Sequence, residues 1–219
     1  MIKRSTEIKI NDIDIQIIDD FFSQKDFKNL VNAINEKKIN KIKVLHNTID
    51  HNGKIIKCSI NYSLLRELHN NYHSKVMQIL KNKSPLKYNL YEYSDYTFII
   101  TNKNVKFPIH DDAPDKLLSG VIYLSPKKNT GTSFYSNKDG DNKKTIEWRQ
   151  NKAVFFSRVE NQSWHSYEGD GISDRLVLVY NLKTTNLKKV YKIENKNYIL
   201  GMLRLKINPY LYRLFNLTI

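Results

Sequence analysis

A chain of 219 residues with 40% hydrophobic and 11% aromatic side chains has the material for one globular domain, which excludes general disorder. It holds no run of about 18 apolar residues, so no transmembrane span is expected. The formal net charge of +14 raises a nucleic-acid or anionic-surface reading. That reading is disfavoured by the even spread of lysine, the lack of an arginine-rich block and the joint excess of Asn, Ile and Tyr.

The N-terminal stretch MIKRSTEIKINDIDIQ has a basic start but no apolar core or small-residue cleavage site, so no signal peptide is expected. Cys58 is the only cysteine. No intramolecular disulfide can form, which points to the reducing cytoplasm, and the thiol is expected to be buried. Ile8, Ile10, Ile13, Ile15 and Ile17 alternate loosely and predict one strand from Ile8 to Ile18. Phe27, Leu30, Val31 and Ile34 predict a helix over Gln24 to Asn35, with Ser23 as its N-cap and Asp26 in the first turn. Lys41 to Leu45 reads as a short strand and Asn52-Gly53 as a hairpin turn flanked by His46 and His51. A longer helix is expected over Asn61 to Asn82, where Leu64, Leu65, Leu68, Tyr72, Val76 and Leu80 share a stripe. His69 and His73 fall on its polar side and read as a surface pair.

From Lys87 the character changes to short aromatic and β-branched runs. Strands are predicted at Asn89–Tyr93, Thr97–Thr101, Val105–Ile109, Leu118–Leu124, Thr132–Tyr135, Thr145–Trp148, Ala153–Ser157, Ser163–Ser166 and Arg175–Asn181. Such a run fits a mainly β protein with supporting helices, a jelly-roll or cupin-like double-stranded β-helix, rather than a parallel sheet. The loop NKDGDNKK (Asn137 to Lys144) reads as solvated, with a lid over the site as the alternative. The tail is basic and then apolar, interrupted at Pro209. It is expected to pack as a helix on the barrel, with a homodimer contact or a membrane-surface helix as alternatives. One domain is therefore expected: residues 1–86 supporting, 87–182 forming the core and 183–219 extending it.

His110-x-Asp112 puts an imidazole and a carboxylate on one face of an extended strand. His165 follows 55 positions later. Two histidines and a carboxylate are the facial triad that holds non-haem Fe(II) and leaves coordination positions open. Arg175 opens the apolar strand LVLVY, where a buried anion partner best explains a charge, and a guanidinium suits a small dicarboxylate. Asp111, between the ligands, is expected on the opposite face as a solvated or hydrogen-bonded acid. A bend after His110 would exchange its role with Asp112.

The stretch from about Tyr88 to Leu182 contains FPIHDDAPDKLLSGVIYLSP, GTSFY, NKAVFFS and SWHSYEGDGISDRLVLVYNL. It resembles the Fe(II)/2-oxoglutarate-dependent dioxygenases, in particular the prolyl-4-hydroxylase-like group. The resemblance is carried by His110 and Asp112, Tyr123-Leu124, Gly131-Thr132-Ser133-Phe134, Val154-Phe155-Phe156, and His165 with Arg175, and it covers under half of the chain. It implies His110, Asp112 and His165 as catalytic ligands of Fe(II), and Arg175 as the anchor of the distal carboxylate of 2-oxoglutarate. It further implies O2 as oxidant and hydroxylation of an unactivated C–H bond, with release of succinate and CO2. A carboxylate at Asp112 favours hydroxylation over halogenation.

Many such families carry a serine two residues after the arginine; here that residue is Val177. A second anchor is therefore sought among Tyr91, Tyr93 and Tyr123, with core packing as the other reading of each. Lys116 is a candidate to meet an anion, and Trp164, with Tyr167, to wall a substrate pocket. The substrate, small-molecule or peptidyl, is not read from the chain. Two other classes stay open: a cupin-type metal-binding protein or isomerase that has no need of Arg175, and a nucleic-acid-binding or repair protein.

Overall fold

Alternation of apolar side chains along short segments builds two facing antiparallel sheets. The computed structural model describes residues 5–10, 13–36 and 44–215. Its strands are β1 (Ser5–Ile10), β2 (Ile13–Ile18), β3 (Val44–Asp50), β4 (Ile55–Lys57), β5 (Tyr93–Thr101), β6 (Lys106–His110), β7 (Lys116–Ser125), β8 (Thr132–Phe134), β9 (Lys144–Thr145), β10 (Ala153–Phe156), β11 (His165–Glu168) and β12 (Arg175–Lys183). The helices are α1 (Gln24–Glu36), α2 (Tyr62–Lys83), α3 (Pro85–Tyr88), α4 (Leu187–Ile193) and α5 (Tyr198–Phe215).

The major sheet has eight strands in the order β1-β2-β10-β7-β12-β5-β3-β4, and the minor sheet has the order β6-β11-β8-β9. This is the double-stranded β-helix expected from the run of short strands. Strand β12 shows how the sequence makes a two-sided sheet. Leu176, Leu178 and Leu182 join the core under the helices, with Tyr180 beside them, while Val177 joins the core between the sheets. Helices α1 and α2 cover the outer face of the major sheet through Leu30, Ile34, Leu65, Leu68, Val76 and Leu80, all of them buried. Each such side chain contributes about 1.5–3 kcal/mol on full burial. Asn61 caps α2 by accepting from the Leu64 amide at 3.1 Å, and the Ser23 hydroxyl accepts from Asp26 N at 3.1 Å at the start of α1.

Several expectations need correction. Ile8 to Ile18 is a hairpin of two strands, not one strand, because β1 and β2 pair from Ser5↔Ile18 to Ile10↔Ile13. The strand expected over Lys41 to Leu45 begins, within the described residues, at Val44 and continues to Asp50. Positions 41–43 lie outside the described residues. The strand expected over Asn89–Tyr93 forms only at its last residue: Pro85 starts α3, which ends at Tyr88, the chain turns, and one uninterrupted β5 begins at Tyr93 and takes in the next predicted strand. Beyond Thr145 the expected strand to Trp148 has no partner strand, and β11 starts at His165 rather than Ser163. Helix α5 passes through position 209 without a break.

Cys58 is exposed, not buried. His69 and His73 are not a surface pair. Their rings stack with centroids 4.3 Å apart, and their Nδ1 atoms meet the hydroxyls of Tyr96 (2.8 Å) and Tyr180 (3.0 Å) under α2.

In the described part of the tail, Val190 and Tyr191 of α4 are buried, and α5 crosses Tyr191 at Gly201, where a Cβ would fall 2.1 Å from the ring. Among the described residues no helix is long and apolar enough to cross a membrane.

Candidate metal centre

His110 is the last residue of β6 and His165 the first of β11, and the ladder sets them directly opposite each other. Their ring centroids lie 4.2 Å apart. The Nδ1 of His110 is 3.1 Å from Pro108 O, and that of His165 is 2.8 Å from Ser163 O. A carbonyl only accepts, so each Nδ1 carries a proton and Nε2 is the ring atom turned towards a metal. Asp112 lies just beyond β6 and turns to the same point. One ligand atom from each of His110, Asp112 and His165 lies within 4.8 Å of the others, and His165 Nε2 is 3.8 Å from Asp112 Oδ2.

The electrostatics suit a divalent cation. Burial alone raises the Asp112 pKa, but Lys116, His165 and His110 outweigh it and hold the carboxyl well below the usual carboxylate range. Burial, and then His165, push His110 down to about 3. At neutral pH the centre therefore offers an ionised carboxylate and a neutral His110 imidazole, the forms that ligate. Lys116 pairs with Asp112 Oδ1, and Ser119 Oγ donates to Oδ2 at 2.5 Å. Asp111 faces the other way and accepts from Asn161 N (2.7 Å) and Ser163 Oγ (2.5 Å). The roles of Asp111 and Asp112 are not exchanged.

A buried ionic network that sequence reasoning missed holds these loops. Arg158 Nε donates to Asp112 O at 3.0 Å, and Arg158 Nη1 pairs with Glu194 at 2.6 Å. Glu194 also accepts from Lys87 Nζ at 2.7 Å and from Glu160 N at 3.0 Å. The side chains of Arg158 and Glu194 are 3% and 1% exposed. No spacing in the sequence signals this network, because its members come from α3, the chain before β11 and the end of α4.

Arg175, the first residue of β12, is 2% exposed and lines a cavity of about 190 Å³ together with His110, Asp112 and His165. Its guanidinium lies 4.4 Å from the Tyr167 ring centroid and 5.2 Å from that of Trp148. Its Nε and Nη1 have no hydrogen-bond partner in the protein. An isolated buried cation costs several kcal/mol, in the range of about 3–5 for a broken buried pair, so these two donors fit an anionic ligand in the cavity. The donor set fits Fe(II) on the same grounds: two imidazole nitrogens and one carboxylate.

The tyrosines divide. Tyr123 is fully buried beside Arg175, but its hydroxyl donates to Thr132 Oγ1 at 3.0 Å and accepts from Thr132 N at 2.9 Å. Tyr91 instead bonds Ser94 at 2.9 Å on the helix side, and Tyr93 lies under Lys183, so neither lines the metal cavity. Trp164 lines a second cavity of about 380 Å³ on the far side of His110 and Asp112, with Pro108, Pro114, Arg204 and Leu205. The metal cavity also holds Thr101, Thr132, Tyr167 and Asn181; the sequence offers Tyr167 as flanking His165 and Thr132 within the Gly131–Phe134 motif, and gives no signal for Thr101 or Asn181. Thr101 is the register partner of Arg175 on β5.

Fold and site together define a class: a double-stranded β-helix carrying a His–Asp–His cluster and a buried arginine in one cavity. No protein-family model matches the sequence, and no curated protein matches it. Among solved structures the chain is similar to a prolyl-4-hydroxylase of Pseudomonas putida, with TM-score 0.55 and 13% identity over 78% of this chain and 93% of that one. It is similar to HygX of Streptomyces hygroscopicus with nickel and 2-oxoglutarate bound, with TM-score 0.52 and 7% identity over 78% and 83%. It is similar also to a viral collagen prolyl hydroxylase from Paramecium Bursaria Chlorella virus-1 in a 2OG complex, with TM-score 0.51 and 14% identity over 78% and 96%. At these identities the likeness is one of fold: the double-stranded β-helix on which those proteins are built.

Proposed function

We propose that the protein is an Fe(II)- and 2-oxoglutarate-dependent dioxygenase that hydroxylates an unactivated C–H bond. One observation carries the reading: a buried arginine with two unpartnered donors shares a cavity with the His–Asp–His cluster. A protein that only bound a metal has no use for that charge. The solved oxygenases of the same fold, one of them with 2-oxoglutarate and nickel bound, support it.

His110, Asp112 and His165 would hold the iron, and Arg175 the distal carboxylate of 2-oxoglutarate. The bound iron and cosubstrate supply the activation of O2. The chain's own residues fix the tautomer of both histidines, with the Nδ1 proton on Pro108 O and Ser163 O and Nε2 turned to the cavity, hold Asp112 ionised beside Lys116, and exclude water with Phe156, Val177 and Val179. Residues 87–182 carry the site. The described residues before them supply β1 to β4 of the major sheet and the helices α1 and α2 that cover it, and the tail supplies α5 as one wall of the Trp164 cavity. The substrate is a small molecule or a peptidyl segment, and the reducing cytoplasm suits both a ferrous ion and a single exposed thiol.

Anaerobic titration with Fe(II) and then 2-oxoglutarate tests this. A metal-to-ligand charge-transfer band is expected, weakened in Arg175→Ala and absent in His165→Ala. Iron binding without a band, in the unaltered protein, would sink the cosubstrate reading.

A further inference from the structure

We propose that Asn181 is a substrate-binding residue of the metal cavity, and that the group it receives is an uncharged amide or hydroxyl. Strand β12 presents Arg175, Val177, Val179 and Asn181 to this cavity, with the polar residues at its two ends. At about 3.3 Å per residue these ends are roughly 20 Å apart. Arg175 pairs in register with Thr101, at the far end of β5. Asn181 stands where β12 meets the start of β7, since Leu182 faces Leu118 and Lys183 faces Lys116. Lys116 and Ser119 of that same region hold Asp112. Asn181 is therefore at the Asp112 side of the cavity, away from the Arg175 end.

Its side chain is 2% exposed, and its Oδ1 has no hydrogen-bond partner. The other two buried asparagines among the described residues are fully engaged. Asn47 accepts from Ser59 N (2.7 Å) and Ile60 N (3.2 Å) and donates to Tyr96 O (2.9 Å). Asn151 accepts from Phe22 N (2.9 Å) and donates to Phe22 O (3.0 Å). A buried polar atom left unpaired is destabilising, so its retention at a cavity wall marks a ligand contact. A carboxamide both donates and accepts but neutralises no charge. Lys116, the other cation facing this end, is already paired with Asp112. An amide or hydroxyl of the substrate is what this end is built to receive. The inference rests on the reading above in one respect: the cosubstrate takes the Arg175 end and leaves the Asn181 end for substrate.

The test is Asn181→Leu. Without ligands, the variant is expected to melt about 2–6 °C higher than the parent, because the unpaired carboxamide is gone. On protein loaded with Zn(II) and 2-oxoglutarate, ligand-observed NMR compares N-methylacetamide with methyl acetate as probes. The parent is expected to favour the amide at least fivefold, and the variant to lose that preference. A lower melting temperature, or an amide preference that is absent in the parent or survives in the variant, overturns the proposal. Titration of the parent with Fe(II) and 2-oxoglutarate keeps the two readings apart. No charge-transfer band there removes the oxygenase reading, while the melting shift and the amide preference still decide whether Asn181 is a ligand contact.

Discussion

His110 and His165 face each other across the β6–β11 ladder with ring centroids 4.2 Å apart, although 55 positions separate them in the chain. The pairing is set by backbone hydrogen bonds of two short strands, and each ring is then aimed by its own Nδ1 bond to a carbonyl two residues upstream. The proposed metal centre is thus pre-formed by the minor sheet, and Asp112 joins it from the loop that follows.

Replacing His165 by Ala removes one of the three proposed ligands. Fe(II) or Co(II) affinity is expected to fall at least about 100-fold, a larger loss than the roughly 10–100-fold seen on removing residues that only orient ligands. Anaerobic metal titration followed by absorbance measures it, and an unchanged affinity would place the metal elsewhere.

Arg175→Met should leave metal binding in place and weaken 2-oxoglutarate binding by about 30- to 1000-fold, the equivalent of roughly 2–4 kcal/mol for a charge-assisted pair. The ligand-free protein should not melt lower, since two donors of the guanidinium have no protein partner to lose and the Met side chain keeps an apolar contact with Tyr167 and Trp148 where the guanidinium stacked. The titration and a melting curve on the same preparation decide both points.

Glu194→Ala leaves Arg158 and Lys87 buried without their shared counter-ion. A loss of about 3–5 kcal/mol in unfolding free energy is expected from denaturant titration. Because Arg158 also holds the Asp112 carbonyl, metal affinity should drop in parallel, by about 10-fold or more. A loss of stability with metal affinity intact would confine the network to a structural role.

Stability of the metal-free protein should fall in mild acid through the α2 histidines, alongside His110, whose pKa is pushed lower still. Burial, and then His69, lower the His73 pKa from 6.5 to about 4, and burial also lowers that of His69. Above 6.5 both folded and unfolded chains are neutral at these sites. Between about 6.5 and 4 the unfolded chain takes up protons that the folded chain refuses, so the stabilisation is lost as pH falls through that window. Partial exposure reduces the His73 contribution to on the order of 1–2 kcal/mol. Melting curves from pH 8 to pH 4.5 check this, with His73→Gln expected to make the profile shallower and His110 accounting for part of what is left.

The strands that carry the site were legible because their signals are local. The unbroken apolar run LVLVY, and the short distance between His110 and Asp112, are properties of a few consecutive residues. The same logic failed at Asn89–Tyr93, where an aromatic run follows a proline that starts α3 instead. It failed for His69 and His73 because the helix stripe ranks them as polar, while Tyr96 and Tyr180 reach up from the sheet to pair with them. Tyr91 and Tyr93 were equally good anchors in sequence, and which face of β5 each approaches depends on how the chain leaves α3.

The sequence by itself determined the kind of fold, the residue types of the metal cluster and the odd charge at the head of β12, since each depends on composition and short-range periodicity. Only the tertiary structure decided that Asp112 rather than Asp111 turns to the histidines, that Arg158 and Glu194 fasten the ligand loops, and that Arg175 and Asn181 share one cavity. Those relations join segments tens of residues apart, and they exist only once two sheets and the tail have excluded water and left particular polar atoms to find partners or go without.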